Sequence, residues 1–206
     1  MRFDTMYSIC SGCLKRLVLI MVCALGLTAC AVSIHTASPN TEQQADVIDE
    51  IKPILQHGDW LVVRGVHATD DFVSAVTNAP LSHAAVYDAE NQEVIEAEGI
   101  GVHSTPLADF IAKSQRVMII RSQWHTPENA VQAVKRARSH IGKRYNLSGL
   151  IGINTPDTYY CTQLVVDAYT AGKRAETVNP LPPVILPRQM FHWGRIVYDS
   201  GVGLRE

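Results

Sequence analysis

LSHAAVYDAENQEVIEA, residues 81–97, decides the reading of the fold. Two β-rich runs, His83–Tyr87 and Gln92–Ala97, flank Asp88-Ala89-Glu90-Asn91, whose Asp and Asn favour a turn. Two such runs joined by a short polar loop predict an antiparallel hairpin. Counting back from a four-residue loop, Tyr87 faces Gln92 and His83 faces Glu96. Directly opposed residues share one face, with Cβ atoms about 4.5–5.5 Å apart. That register sets an imidazole beside a carboxylate, which orients the ring and stabilises its charged form.

Outward from the hairpin, strands and helices follow without strict alternation. Gly58-Asp59 reads as a turn into a strand from Trp60 to Arg64, and Thr69–Val76 as a helix capped by Thr69. Pro106–Ala112 reads as a helix with Pro106 at its first position, and Arg116–Arg121 as a strand. Pro127–Ile141 is a long helix with Thr126 as N-cap and Gly142 as its stop. Its apolar face is expected at Val131, Val134, Ala137 and Ile141. Cys161–Ala171 is a further helix ended by Gly172, and Arg195–Tyr198 a last strand. The order predicts an α+β domain: an antiparallel sheet packed against helices.

The 206 residues are 47% hydrophobic and 18% charged, with a formal net charge of −2. That apolar content supports a real core, and near-neutrality excludes a broadly basic nucleic-acid binder. Lys15 and Arg16 precede a nearly all-apolar run, residues 17–29, of secretory length. It ends Leu27-Thr28-Ala29-Cys30, small residues before a cysteine, and so resembles a bacterial lipobox. The expected division is a lipoprotein signal peptide at 1–29, lipidated Cys30 with a tether at 30–56 whose run 46–56 suits a short helix broken at Pro53, and the domain at 57–206. Two or three acyl chains anchor stably where one would be marginal. Ala31, rather than Asp, after the cysteine implies the outer membrane, facing the periplasm. The outer-membrane lipid is then the first partner expected, and the chain is expected to be a monomer.

Of five cysteines, Cys10, Cys13 and Cys23 leave with the signal, so Cys161 has no unlipidated partner. No zinc-type cysteine pair, Walker loop, G-x-S-x-G or H-E-x-x-H occurs in the mature chain. His67, Asp70 and Asp71 read as a solvated helix start, and Gly99-Ile100-Gly101 as a turn. Lys135, Arg136, Arg138, Lys143 and Arg144 read as a solvated basic face, with anionic lipid headgroups as the alternative. Neither a metal nor an organic cofactor is expected.

Cys161 opens a good helix, and the unpaired N–H groups and dipole there favour a thiolate. The same N–H groups can hold an oxyanion. A cysteine at a helix start with a histidine on a strand is the arrangement of papain-like nucleophilic catalysis.

Six blocks in order carry a resemblance: Gly58-Asp59-Trp60-Leu61, Leu81-Ser82-His83-Ala84-Ala85-Val86, Val94-Ile95-Glu96-Ala97, Ser104-Thr105-Pro106-Leu107, Gly142-Lys143-Arg144-Tyr145-Asn146 and Tyr160-Cys161-Thr162-Gln163-Leu164-Val165. Together they resemble the YaeF/YiiX family, circularly permuted relatives of the NlpC-type papain-like peptidases. The resemblance runs from about residue 58 to 170. It implies a permuted papain-like fold, with Cys161 as nucleophile, His83 as base and Glu96 as the orienting group. The permutation accounts for His preceding Cys. Gln163 stands where the family often has Glu, and it receives no role.

The expected function is therefore a lipid-anchored cell-envelope thiol hydrolase acting on an amide of a peptide, cell-wall or lipid-linked substrate. The alternatives are acyl transfer or lipid ester cleavage of the lecithin–retinol acyltransferase-like type, and a non-catalytic envelope binding module.

Overall fold

The computed structural model of the chain describes residues 41–65, 80–171 and 181–201. The expected signal peptide, Cys30, the helix expected at Thr69–Val76 and Gly172 lie outside them.

Six strands form one sheet: β1 (Trp60–Gly65), β2 (His83–Asp88), β3 (Glu93–Glu98), β4 (Gly101–Pro106), β5 (Ser114–Ser122) and, after the short β6 (Arg144–Tyr145) and β7 (Thr158–Tyr159), β8 (Gly194–Asp199). Their order is β4-β3-β2-β1-β5-β8, and every pairing is antiparallel. β6 and β7 pair in parallel beside this sheet. The domain is α+β, and its sheet is sandwiched.

Alternation along the central strands splits the core in two. Trp60, Val62, Ala84, Val86 and Ile95 point to one side, under α3 (Pro127–Ser139), α4 (Cys161–Thr170) and a 3-10 turn at Pro187–Trp193. Leu61, Val63, Ala85, Tyr87 and Val94 point to the other, under α1 (Thr41–Ile51) and α2 (Leu107–Ala112). A strand covered on both faces needs no polar alternation. This is why β1 opens with the unbroken run Trp60-Leu61-Val62-Val63.

Four expectations change. The segment expected as a tether through residue 56 contains α1, whose Ile51 is fully buried against Phe110 and Ile111. The body of the domain therefore begins before residue 57. The buried face of α3 is Ala130, Ala133, Val134 and Ala137, while Val131 and Ile141 are exposed. Small side chains let this helix approach closely: a Cβ on Gly58 would lie 2.8 Å from the Ala130 Cβ. Pro106 ends β4 and caps α2 with extended backbone (ψ 139°) instead of entering the helix. The two long helices stop a little earlier than expected, at Ser139 and Thr170, with Ala171 in left-handed backbone (φ 51°).

The basic cluster is mostly engaged internally. Arg136 donates to the Ala168 carbonyl at 2.6 Å, Arg138 pairs with Asp88 and Glu93, and Lys143 pairs with Asp157 at 2.7 Å.

Candidate active site

The hairpin forms one residue later than the count from a loop at 88–91. Asp88 remains in β2 and pairs with Glu93, so the loop is 89–92 and Ala85, not His83, faces Glu96. The reason is the Asp88 side chain. Its Oδ1 accepts the Glu90 N–H at 3.0 Å and its Oδ2 accepts Arg138 Nε at 2.6 Å. Asp88 thus closes the turn from the strand end, and Gln92 takes the left-handed position (φ 53°). Displacing the register by two positions keeps every side chain on its face. His83 is now diagonal to Glu96, still within reach of long side chains. His83 Nε2 lies 2.7 Å from Glu96 Oε2, and the carboxylate can only accept, so Nε2 carries the proton.

Glu96 is completely buried in the middle of β3. Its Oε1 accepts the Thr105 hydroxyl. His103, directly opposite on β4, brings Nε2 to 3.5 Å, and Lys113 Nζ stands at 3.7 Å. Burial opposes the charge, but His103, His83 and Thr105 outweigh it and hold Glu96 far below the ordinary carboxylate range.

His83 is the first residue of β2, and Cys161 the first of α4. Both are buried, and Cys161 is in no disulfide. Burial opposes a charged His83 ring. The hydrogen bonds and electrostatic attraction of Cys161 and Glu96 outweigh it and hold the imidazole well above its ordinary range. With Nε2 on Glu96, the nitrogen left to the thiol is Nδ1. His83 and Glu96 are thus joined by a hydrogen bond, and Cys161 is near enough to bear on the charge of the same ring.

The turn that presents Cys161 is held by a residue given no role in the sequence. Gln163, at the third helical position, turns its Oε1 back to the Tyr160 N–H at 3.5 Å and to Asn146 Nδ2 at 3.4 Å. A glutamine three residues after an N-cap is the sequence signal for this reach-back. Asn146 also walls a cavity of about 590 Å³ with Arg144, Leu147, Ile151 and Thr158, which Cys161, His83 and Glu96 do not line. Leu147 and Ile151 are strongly exposed there.

Nothing in the sequence pattern ties Thr105, His103, Lys113 or Glu98 to Glu96. They lie on β4, at the end of β3 and just after α2, and only strand pairing brings them to Glu96. Among the described residues, His83, Glu96 and Glu98 have donor atoms within 4.8 Å of one another, close enough to share a cation. Lys113 Nζ already stands 3.7 Å from Glu96 and 3.8 Å from Glu98.

A family model described as "Permuted papain-like amidase enzyme, YaeF/YiiX, C92 family" matches residues 55–199. A curated relative from Escherichia coli strain K12, "Probable lipoprotein peptidase YaeF", is 27% identical over 121 residues, 59% of this chain. The match spans 43% of that relative, less than half of its length. Among solved structures, the crystal structure of "metalloprotein yiiX" from Escherichia coli O157:H7 is similar, with a TM-score of 0.54 and 20% identity. It covers 71% of this chain and 97% of that one, and it shows a common fold.

Proposed function

The chain belongs to the permuted papain-like amidases of the YaeF/YiiX, C92 family, and on that premise we propose that it is a thiol hydrolase cleaving an amide bond in the cell envelope. The observation that supports this best is one imidazole that hydrogen-bonds the buried Glu96 and whose charged form Cys161 also favours. His83 takes the Cys161 S–H proton on its free nitrogen, and the resulting thiolate attacks the amide carbon, forming an S–C bond while the C=O π pair moves to oxygen as an oxyanion. The N–H groups of the first turn of α4 lack intrahelical acceptors and face that charge. His83 gives its proton to the departing nitrogen as the C–N bond breaks. The ring then takes a proton from water, whose oxygen attacks the thioester and releases a carboxylic acid and the thiol. Glu96 keeps the ring oriented and balances its charge in both steps.

A lipidated Cys30 would hold this site at the periplasmic side of the outer membrane, in keeping with the lipoprotein name of the relative. A cation shared by His83, Glu96 and Glu98 is the competing occupant, since their donor atoms lie within 4.8 Å of one another and the similar solved structure is called a metalloprotein. In this chain Lys113 already supplies a positive charge between Glu96 and Glu98, and a cation ligated by His83 would remove the base.

Alkylation of Cys161 by iodoacetamide, followed by mass spectrometry of its peptide, tests the reading before a substrate is known. Reactivity in the wild type should persist on the acid side, where a free thiol (pKa about 8.5) is silent. His83→Ala should abolish that acid-side reactivity, Glu96→Gln should weaken it less, and a chelator should leave it unchanged. A wild type that follows a free thiol would favour the binding module. Loss of turnover on chelation, once a substrate is found, would favour metal chemistry.

A further inference from the structure

The thiol chemistry makes no use of Thr105, although it stands in one of the six blocks that carry the family resemblance. Resting on the Cys161–His83–Glu96 reading, we infer that Thr105 is a positioning residue that fixes the plane of the Glu96 carboxylate and, through it, the His83 ring.

A carboxylate turns easily about its last torsion, which has only broad wells. One hydrogen bond therefore does not set its plane, whereas one on each oxygen does. Glu96 Oε2 meets His83 Nε2 at 2.7 Å, and Oε1 accepts the Thr105 hydroxyl. The other groups near Oε1 are His103 Nε2 at 3.5 Å and Lys113 Nζ at 3.7 Å. They supply charge at a separation that imposes little direction.

Thr105 is built to hold still. It is buried, and its β-branched side chain is stiff at χ1. On β4 it pairs with Val94, which places it on the same face as Glu96, one diagonal step away. The next residue, Pro106, has a fixed φ (−52°), and Leu107 N–H bonds the Gln92 carbonyl at 3.0 Å. The hydroxyl is thus clamped at the point where β4 turns into α2, and the Thr-Pro-Leu order acquires a mechanical sense. Thr supplies the donor, Pro stops the strand, and Leu buries the start of the helix.

The test uses the full chain, with iodoacetamide modification of Cys161 followed as a function of pH. Thr105→Val keeps the shape and removes the donor, while Thr105→Ser keeps the donor. Losing a hydrogen bond to a charged group should slow acid-side alkylation about tenfold or more and move the limb to higher pH. Thr105→Ser should restore the wild-type profile, which a merely structural role does not predict, because Ser loses the packed methyl that Val retains. A Val profile superimposable on the wild type, or a Ser profile matching Val, overturns the inference. If Thr105→Val fails to fold by circular dichroism, Thr105→Ala takes its place. Failure of both assigns Thr105 to architecture and also overturns it. If His83→Ala leaves the wild-type profile unchanged, the underlying thiol reading is what fails. If His83→Ala collapses the profile and Thr105→Val does not, only the role of Thr105 falls.

Discussion

At the scale of single residues, the charges around Glu96 link the site to stability. His83 is held above its ordinary range by Cys161 and Glu96 against the cost of burial. His103 is raised by its contact with Glu96. A raised folded pKa means the folded state prefers the protonated ring. That stabilisation is complete below the unfolded value of about 6.5 and is lost as pH climbs through the folded values. Glu96 is shifted downward, so its contribution is present above about pH 4.3 and fades only as pH falls toward its folded value. The predicted stability maximum therefore lies between about pH 4.5 and 6.5. The melting temperature should fall on the alkaline side, and His103→Gln should flatten part of that fall. Thermal melts across this range check it, and a melting temperature that rises steadily through neutrality would contradict the assignment.

Among the elements, the connection into β1 is the most constrained. Gly58 has φ 82°, its N–H donates to the Tyr87 carbonyl at 2.8 Å, and its carbonyl accepts the Tyr169 hydroxyl at 2.9 Å. A Cβ there would stand 2.4 Å from the Tyr169 oxygen. Asp59, fully buried, accepts both Arg121 Nε at 2.9 Å and Arg121 Nη2 at 2.8 Å. Gly-Asp thus lets α3 and α4 close over one end of the sheet while fastening β1 to its neighbour β5. Gly58→Ala combines left-handed strain with overpacking and should cost about 2 kcal/mol or more in urea unfolding. Gly99→Ala, with ordinary φ and open space, should change stability by less than about 0.5 kcal/mol. Equal effects at the two glycines would show that the close approach at Gly58 has little energetic weight. α4 makes the complementary point. Its first turn is fixed by Gln163 and Asn146 rather than by a Ser, Thr, Asp or Asn cap, and so Cys161 sits on a turn tied to a loop fifteen residues earlier.

For the whole molecule, a sheet covered on both faces means that the candidate site draws on each layer. His83 and Glu96 extend from the face under α1 and α2, and Cys161 begins a helix that covers the other. The N-terminal sequence predicts an anchor for this body. The wild-type chain expressed in a Gram-negative host should fractionate with membranes and carry acyl mass at Cys30, and Cys30→Ala should lose both. A variant that stays membrane-bound and unmodified in mass would refute the lipobox. The sequence alone determined the antiparallel hairpin, the α+β class and the helix start at Cys161, and it singled out the three candidate residues of the site. Turn residues, period-2 runs and caps act over a few positions, and the order of six short blocks is itself a sequence property. Only the tertiary structure decided the register, because Asp88 answers to Arg138, fifty residues away. It alone decided which side of α3 is buried, since that depends on how near Gly58 allows the helix to come. Likewise it brought Thr105, His103 and Lys113 to Glu96, because contacts across neighbouring strands and from the end of a packed helix leave no periodic trace in the chain.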